Sequence, residues 1–511
     1  MIKRPSVSLV GAGPGDPGLV TARALRRLAA ADVVVYDRRV DPRLLQSARP
    51  DAERIDVGPA PATALAQDAV SLLLVEKARE GKAVVRLVPG DPLVFESGGR
   101  EALFLREQGV PFEIVPGIPP ALGVPGHAGI PITYPGAGDA VVLVRADEAD
   151  GGPRLDWARL AGMKGTLVAW AGRDQLPAIV RGLLAHGRPP DEPAAVVLGG
   201  TTPRQRTLSG TLEELARRLR EEPPKEPAVL IVGTVVALRD HLRWFDERPL
   251  FGRRIVVTRA REQARELSDL LEDLGAEAIE VPVIRVAPLE RVEALDQAVA
   301  EAGRYDWIVF TSVNGVEAFM QRLLAGPGDV RALGRARLCA IGPATAARIA
   351  RFGLKVALTP TEYRAEAIVS ALRAAGEIAG RRFLLARADI AREALADELR
   401  RAGALVTEVA AYRTIEEPPT DAPDVYRLLL DRQIDAVTFT SASTVRAFVR
   451  LLGEEPAPDL LAGTVVAAIG PVTAEAAARL GIRVDVVPPT YTMPALVEAL
   501  VARFAAQPVP P

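Results

Sequence analysis

The sequence predicts an α/β protein of two domains, and three observations carry that reading. Short β-branched runs alternate with Ala-, Leu- and Arg-rich helical stretches along almost the whole chain, the pattern of mainly parallel sheets with helices between their strands. At 511 residues the chain is too long for one hydrophobic core. Blocks of its second half recur at a nearly fixed spacing, the mark of a duplicated unit.

The alternation opens with a strand at residues 6–11 and a helix at 19–30. It returns at 255–258 followed by 262–274, and again at 437–440 followed by 444–452. The polar, proline-rich segment 221–227 reads as a loop, with one more strand after it at 229–233. Trp244-Phe245-Asp246-Glu247-Arg248-Pro249-Leu250-Phe251-Gly252 then breaks the pattern, placing one domain at 1–246 and the other at 249–505. Residues 508–511 read as a disordered tail.

Composition narrows the function classes. Hydrophobic residues make up 49% of the chain and charged residues 25%, ordinary for globular protein. A net charge of −2 gives no overall basic field for nucleic acid or an acidic membrane, so no partner of either kind is expected. An anionic ligand would have to be gripped by local arginines, hydroxyls and backbone amides. The one cysteine, Cys339, lies in an apolar run and reads as a buried structural thiol. It excludes an internal disulfide framework and fits a reducing, cytoplasmic setting. Three histidines (His127, His186 and His241) at no ligand spacing argue against a metal site.

The repeat is the most informative signal. Gly252-Arg-Arg-Ile-Val-Val-Thr-Arg259-Ala returns as Gly380-Arg-Arg-Phe-Leu-Leu-Ala-Arg387-Ala, an offset of 380 − 252 = 128. Phe310-Thr311-Ser312 returns as Phe439-Thr440-Ser441, now at 439 − 310 = 129. Ala340-Ile341-Gly342-Pro343-Ala-Thr345 returns as Ala468-Ile469-Gly470-Pro471-Val-Thr473, back at 468 − 340 = 128, and Tyr363 matches Tyr491 likewise. Two similar lobes suggest a cleft between them suited to a large ligand. Both motifs end a strand and open a helix, with Asn314 and Ser443 as the expected caps. They would put hydroxyls and free amides where carboxylates or phosphates bind. No carboxylate dyad, Ser–His–Asp set or phosphate loop occurs in this half, which favours a reaction needing little acid–base machinery.

These blocks, with Arg387-Ala-Asp-Ile-Ala-Arg-Glu and Val437-Thr-Phe-Thr-Ser441, resemble uroporphyrinogen-III synthase over nearly all of residues 249–504. The resemblance implies two lobes, about 250–286 plus 414–505 and 287–413, joined by a two-strand ladder. It also implies the chemistry: hydroxymethylbilane loses its terminal hydroxyl and closes, through a spiro intermediate, to uroporphyrinogen III with the last ring inverted. On this resemblance Tyr412 assists hydroxyl departure, and Ser312, Thr345, Ser441, Ser443 and Thr473 lie near the tetrapyrrole. Arg387 and Arg259 are candidate carboxylate partners, with strand-end structural arginines as the alternative. No cofactor is implied for this half. A two-lobed binding or regulatory protein is the rival reading.

In the first half, Val10-Gly11-Ala12-Gly13-Pro14-Gly15-Asp16-Pro17 is a Gly-rich strand-to-helix turn, and a poor dinucleotide fingerprint because of its prolines. With Gly90-Asp91-Pro92-Leu-Val-Phe95, Val115-Pro116-Gly117-Ile118 and Gly200-Thr201-Thr202-Pro203, it resembles the tetrapyrrole methyltransferases, of which uroporphyrinogen-III C-methyltransferase is the nearest type, over about 6–240. That resemblance implies S-adenosylmethionine between two lobes, touching Pro14, Gly90, Asp91, Val94, Phe95, Ala121, Trp170, Ala171 and Ala228. A homodimer through this domain is a further expectation. Departures from the family pattern stand at Val88-Pro89, Glu96-Ser97, Pro119-Pro120, Tyr134-Pro135 and Val57-Gly58-Pro59, where cations and hydroxyls are usual. Two readings follow for this half: a methylase making precorrin-2, or a retained fold that serves as scaffold.

Overall fold

The computed structural model describes residues 6–58, 67–146, 155–172, 175–224, 227–360, 365–389, 394–416 and 424–506. Tyr363, the end of the block after Arg387, Pro59 and the proline tail lie outside them. The α/β class is as expected, and the chain divides into two compact units, Met1–Gly252 and Arg253–Pro511. Phe251 packs edge-on against Phe245 with ring centres 5.5 Å apart, which keeps the segment after residue 246 with the first unit.

In the first unit, β1 (Val7–Gly11), β2 (Val33–Tyr36), β3 (Glu53–Asp56), β4 (Val84–Val88) and β5 (Phe112–Val115) form a parallel sheet in the order β3-β2-β4-β1-β5. Every residue of β1 and β4 is buried, as helix-covered parallel strands require. A second sheet has the order β6-β7-β10-β8-β9, with β6 (Val141–Ala146), β7 (Thr166–Ala171), β8 (Pro193–Leu198), β9 (Arg206–Thr211) and β10 (Ala228–Val232). Only β6 and β7 run parallel there. The expectation of mainly parallel sheets therefore fails for this sheet, because the short connection from β8 to β9 carries no crossover helix and can only make an antiparallel pair.

The second unit starts with β11 (Arg254–Val257), β12 (Glu277–Glu280) and β13 (Ile284–Ala287). There follow β14 (Trp307–Phe310), β15 (Arg337–Ala340), β16 (Val356–Leu358), β17 (Arg382–Ala388) and the long β18 (Leu405–Glu416), then β19 (Ala436–Phe439) and β20 (Val465–Ala468). One sheet has the order β12-β11-β19-β20, so the first strands of the unit pair with its last; the other has the order β13-β18-β17-β14-β15-β16. Strand β18 lies parallel to β17 over its first part and antiparallel to β13 over its last, Ala287 facing Arg413 and Ile284 facing Glu416. The duplication is visible in the cores. Phe310 meets Phe319, and Phe439 meets Phe448, at the same 5.5 Å and 71°.

Cys339 is fully buried in the β15 layer among Trp307, Ile368 and Phe383. Burial pushes its thiol up to about 12, so the reactive thiolate is absent at neutral pH. The native protein is expected to give no reaction with a thiol reagent and one equivalent after denaturation; labelling of the folded chain within minutes would contradict this burial.

Candidate functional site

Parallel strands of the first unit open their C-terminal ends onto a cavity of about 330 Å³. Its walls are the turn Ala12–Gly15 after β1, Arg39 to Asp41 after β2, Pro89 after β4, and Pro120 and Val124 of the helix Pro120–His127. Trp170, Gly199, Gly200 and Pro227 to Val229 close it. Next to this lining, backbone packs directly on backbone. A Cβ on Gly117 would stand 2.1 Å from the Gly90 carbonyl oxygen, and one on Gly11 2.4 Å from the same atom. Glycine is required at both positions because three chain segments touch there, and the turn can then present its amides to a ligand.

Of the expected cofactor-contacting residues, Pro14, Trp170 and Ala228 line this cavity. Gly90, Asp91, Val94, Phe95, Ala121 and Ala171 stand behind its surface. Asp91 is occupied as a brace, its carboxylate accepting from the amides of Leu93 at 2.8 Å and Gly117 at 3.1 Å. Gly90 bridges to Gly13, Val94 bridges to Asp91, and Ala171 pairs with Ala228 across β7 and β10. Ala121 is buried in its helix, and the Phe95 carbonyl accepts from the Arg145 guanidinium. Three of the departures have local roles. Pro89 and Pro120 stiffen the rim. Glu96 is buried and ion-paired at 3.3 Å with Arg39, a cavity residue that also grips Asp37 at 2.9 Å. Burial pushes the Glu96 carboxyl up against the pull of Arg39. His127 packs against Phe245 and Trp244, with its Nδ1 3.2 Å from the Gly123 carbonyl.

In the second unit a larger cavity, about 450 Å³, lies where the C-terminal ends of both sheets face each other. Four helices begin around it: Val313–Ala325, Pro343–Ala350, Ala442–Leu452 and Pro471–Ala478. The expected caps Asn314 and Ser443 are corrected to Ser312 and Ser441. Both serines share φ −160° and ψ 158°, accepting from Gly315 at 3.0 Å and Thr444 at 3.2 Å. Asn314 and Ser443 already lie inside the first turn, where a side chain is past the amides a cap must reach. Ser443 instead bonds the Ser441 hydroxyl at 2.8 Å.

Thr345, Ser441 and Thr473 line the cavity, together with Thr311, Thr440 and Tyr491, which sequence reasoning did not single out as site residues. Two repeat-related pairs of threonines thus face one space, at 440 − 311 = 129 and 473 − 345 = 128. Among the described residues none of these four threonine hydroxyls has a hydrogen-bond partner. Glu366 brings one carboxylate to the rim. Arg387 does not join the cavity. Its buried guanidinium pairs with Glu408 of the adjacent β18, which also takes Arg400.

Tyr412 is buried, with its hydroxyl 3.1 Å from the Ser312 hydroxyl. The ladder between β17 and β18 slips beside it. Arg387 faces Ala410 and Ala388 faces Tyr412, a bulge that re-aims the side chain. Burial pushes the Tyr412 phenol up, and hydrogen bonds from Ser312 and Asn314 only partly oppose it, so the phenol keeps its proton at neutral pH. The arrangement offers a neutral proton donor near a cavity rich in hydroxyls and helix N-termini. Among the described residues no His, Cys, Asp and Glu cluster could hold a metal, and no helix is long and apolar enough to cross a membrane.

Comparison with known proteins agrees with both halves. A family model described as uroporphyrinogen-III synthase HemD matches residues 265–498, and one described as tetrapyrrole (corrin/porphyrin) methylases matches residues 6–216. The porphyrin biosynthesis protein HemD of Ruminiclostridium josui is 35% identical over 482 residues, covering 93% of this chain and 94% of that protein. A uroporphyrinogen-III C-methyltransferase of Bacillus subtilis is 38% identical over 336 residues, 65% of this chain and 69% of its own length. A solved structure, the native form of uroporphyrin III C-methyl transferase from Thermus thermophilus, is 40% identical. It covers 45% of this chain and 99% of its own, with a TM-score of 0.41.

Proposed function

From the premise that the chain belongs to the HemD family of porphyrin-biosynthesis proteins, with a tetrapyrrole methylase domain fused ahead of a uroporphyrinogen-III synthase domain, we propose that its second unit converts hydroxymethylbilane to uroporphyrinogen III. The observation that carries this is the set of threonines. Thr311, Thr345, Thr440 and Thr473 bond no other described residue through their hydroxyls and sit beside helix N-termini on one cavity. A linear tetrapyrrole bears carboxylates along its whole length, and such a lining binds them through hydroxyls and the positive ends of helix dipoles. Holding the chain curled brings its last ring onto its first, which is most of the catalytic task. Tyr412 then gives its proton to the departing hydroxyl, which leaves as water, and Ser312 orients the phenol. Ser441 and Ser443 contribute to the carboxylate contacts from the other lobe, while Arg387 acts through the packing of β17.

In the first unit the glycine-rich turn Ala12–Gly15 and the apolar wall of Trp170 and Ala228 fit S-adenosylmethionine, with Pro14, Gly13 and Gly200 as its nearest supports. Bound there it would supply an electrophilic methyl group for a carbon of the tetrapyrrole. The protein's part is to hold it and keep water from it.

The deciding experiment feeds enzymatically generated hydroxymethylbilane to the purified protein with S-adenosylmethionine and resolves the products by chromatography and mass. Type III uroporphyrinogen is the expected product, with added methyl groups if the first unit turns over. Only the spontaneous type I isomer would sink the synthase reading and leave a two-lobed binding protein. Thr345→Val and Thr473→Val keep the shape and remove the hydroxyls, so each is expected to raise KM about tenfold with kcat nearly unchanged. An unaltered KM in both would remove these hydroxyls from the site.

A further inference from the structure

Repeat symmetry breaks at one pair of arginines, and the break leaves a cation outside any ion pair among the described residues. In the second copy Arg387 is neutralised by Glu408. Their counterparts in the first copy are Arg259 (387 − 128) and Glu280 (408 − 128). Glu280, however, accepts a hydrogen bond at 2.7 Å from Ser268, where the second copy has Ala396 (268 + 128). Arg259 is left with the amide oxygen of Gln263 at 3.2 Å and the sulfur of Met493. Among the described residues it makes no ion pair, although it is half-buried. Burial outweighs the Coulombic pull of Glu266, the one carboxylate acting on it from nearby, and withdrawing a guanidinium from water without an ion pair is costly, so such an arrangement favours a charge from outside.

Its position shows where that charge would come from. Strand β11 lies beside β19 with Val257 facing Thr438, and the same register carried on two residues sets Arg259 beside Thr440, which lines the cavity. The helix Arg261–Asp273 begins immediately after it, with Ala260 as cap and no side chain accepting from its first amides. Gln263, bonded to Arg259, also reaches Asn314 in the first turn of the helix behind Ser312. The Arg259 backbone, the start of an uncapped helix and a cavity-lining threonine therefore lie together.

We infer that Arg259 anchors a carboxylate side chain of the substrate at the rim of the cavity, a binding role that rests on the synthase reading and adds a residue to it. A bidentate pair between this fork and an acetate or propionate group would fix which end of the tetrapyrrole enters first.

The test measures steady-state kinetics on hydroxymethylbilane for Arg259→Met, Arg259→Lys and Ser268→Ala in the full-length protein. Arg259→Met is expected to raise KM about tenfold with kcat within roughly threefold, and to flatten the dependence of KM on salt. Arg259→Lys should fall between, keeping charge but not the fork. Ser268→Ala leaves Arg259 in place and frees Glu280 to pair with it, as Glu408 does with Arg387. It should raise KM severalfold with an unchanged melting temperature, and it keeps the idea testable should Arg259→Met fold poorly. If Arg259→Met or, where that variant does not fold, Ser268→Ala keeps the KM and salt dependence of the parent, the anchor is overturned. That outcome, with type III product still forming, leaves the synthase reading standing; a parent protein yielding only the type I isomer is the separate failure of that reading.

Discussion

Tyr412→Phe is expected to lower kcat for hydroxymethylbilane closure about a hundredfold, the scale of a lost general acid, while leaving KM near its original value. The substitution removes one oxygen and little else. Ser312 keeps its hydrogen bond from the Gly315 amide and half-buried Asn314 keeps that from Gln263, so neither loses its last partner, and stability should change by no more than about 1 kcal/mol. With the enzymatic route slowed, spontaneous closure competes and the ratio of type III to type I isomer falls. An unaltered kcat would remove Tyr412 from the mechanism and leave it as a packing residue. Ser312→Ala should show a milder form of the same defect, since it frees the phenol without removing its proton.

The pH dependence follows from the same burial. Because the phenol is pushed above its ordinary value of 10, it stays protonated across the neutral range, and the rate should be flat there as far as Tyr412 is concerned. Above that value the unfolded chain ionises first, since its tyrosine titrates normally. Unfolding then releases a proton that the fold retains, and stability declines as pH rises past 10. An alkaline limb near neutrality would have to belong to another group.

Much of the second unit was legible because its signals are chemical blocks repeated at one spacing. The pairing of the first strands with the last came from the family likeness instead, since local pattern says nothing about which strand a strand will meet. Choosing among hydroxyls found Thr345, Ser441 and Thr473 on the cavity but missed Thr311 and Thr440, for a physical reason. Each Thr-Ser pair at a strand end offers two oxygens, and only one caps the helix. Ser312 and Ser441 do so in the fold, which leaves Thr311 and Thr440 to the cavity. The two arginines stand in similar nine-residue blocks, yet their difference lies in a serine nine positions beyond Arg259, on the following helix. In the first unit the glycine motifs marked the cavity, but several of their residues serve as its backing. Asp91 braces two loops, a role set by which amides lie nearby.

Gly117→Ala is expected to abolish S-adenosylmethionine binding and to destabilise the first unit by roughly 3 kcal/mol or more. The new methyl carbon would lie 2.1 Å from the Gly90 carbonyl oxygen and 2.9 Å from the Gly11 Cα, all backbone atoms that no rotamer change can move. Relief requires the turns after β1, β4 and β5 to part. The hydrogen bond from the Gly117 amide to Asp91 would part with them, and so would the bridge between Gly13 and Gly90. The cavity wall formed by Ala12–Gly15 then loses its support. Calorimetric titration with S-adenosylmethionine should show binding to the parent and none to the variant, and scanning calorimetry should show an early transition. The second unit builds its cores from its own residues, among them Phe310, Phe383 and Phe439, so type III product should still form at the parental rate. Binding retained at parental affinity would mean that the cofactor does not depend on this backbone packing. No binding by the parent itself would favour the scaffold reading, with the glycines kept for packing alone.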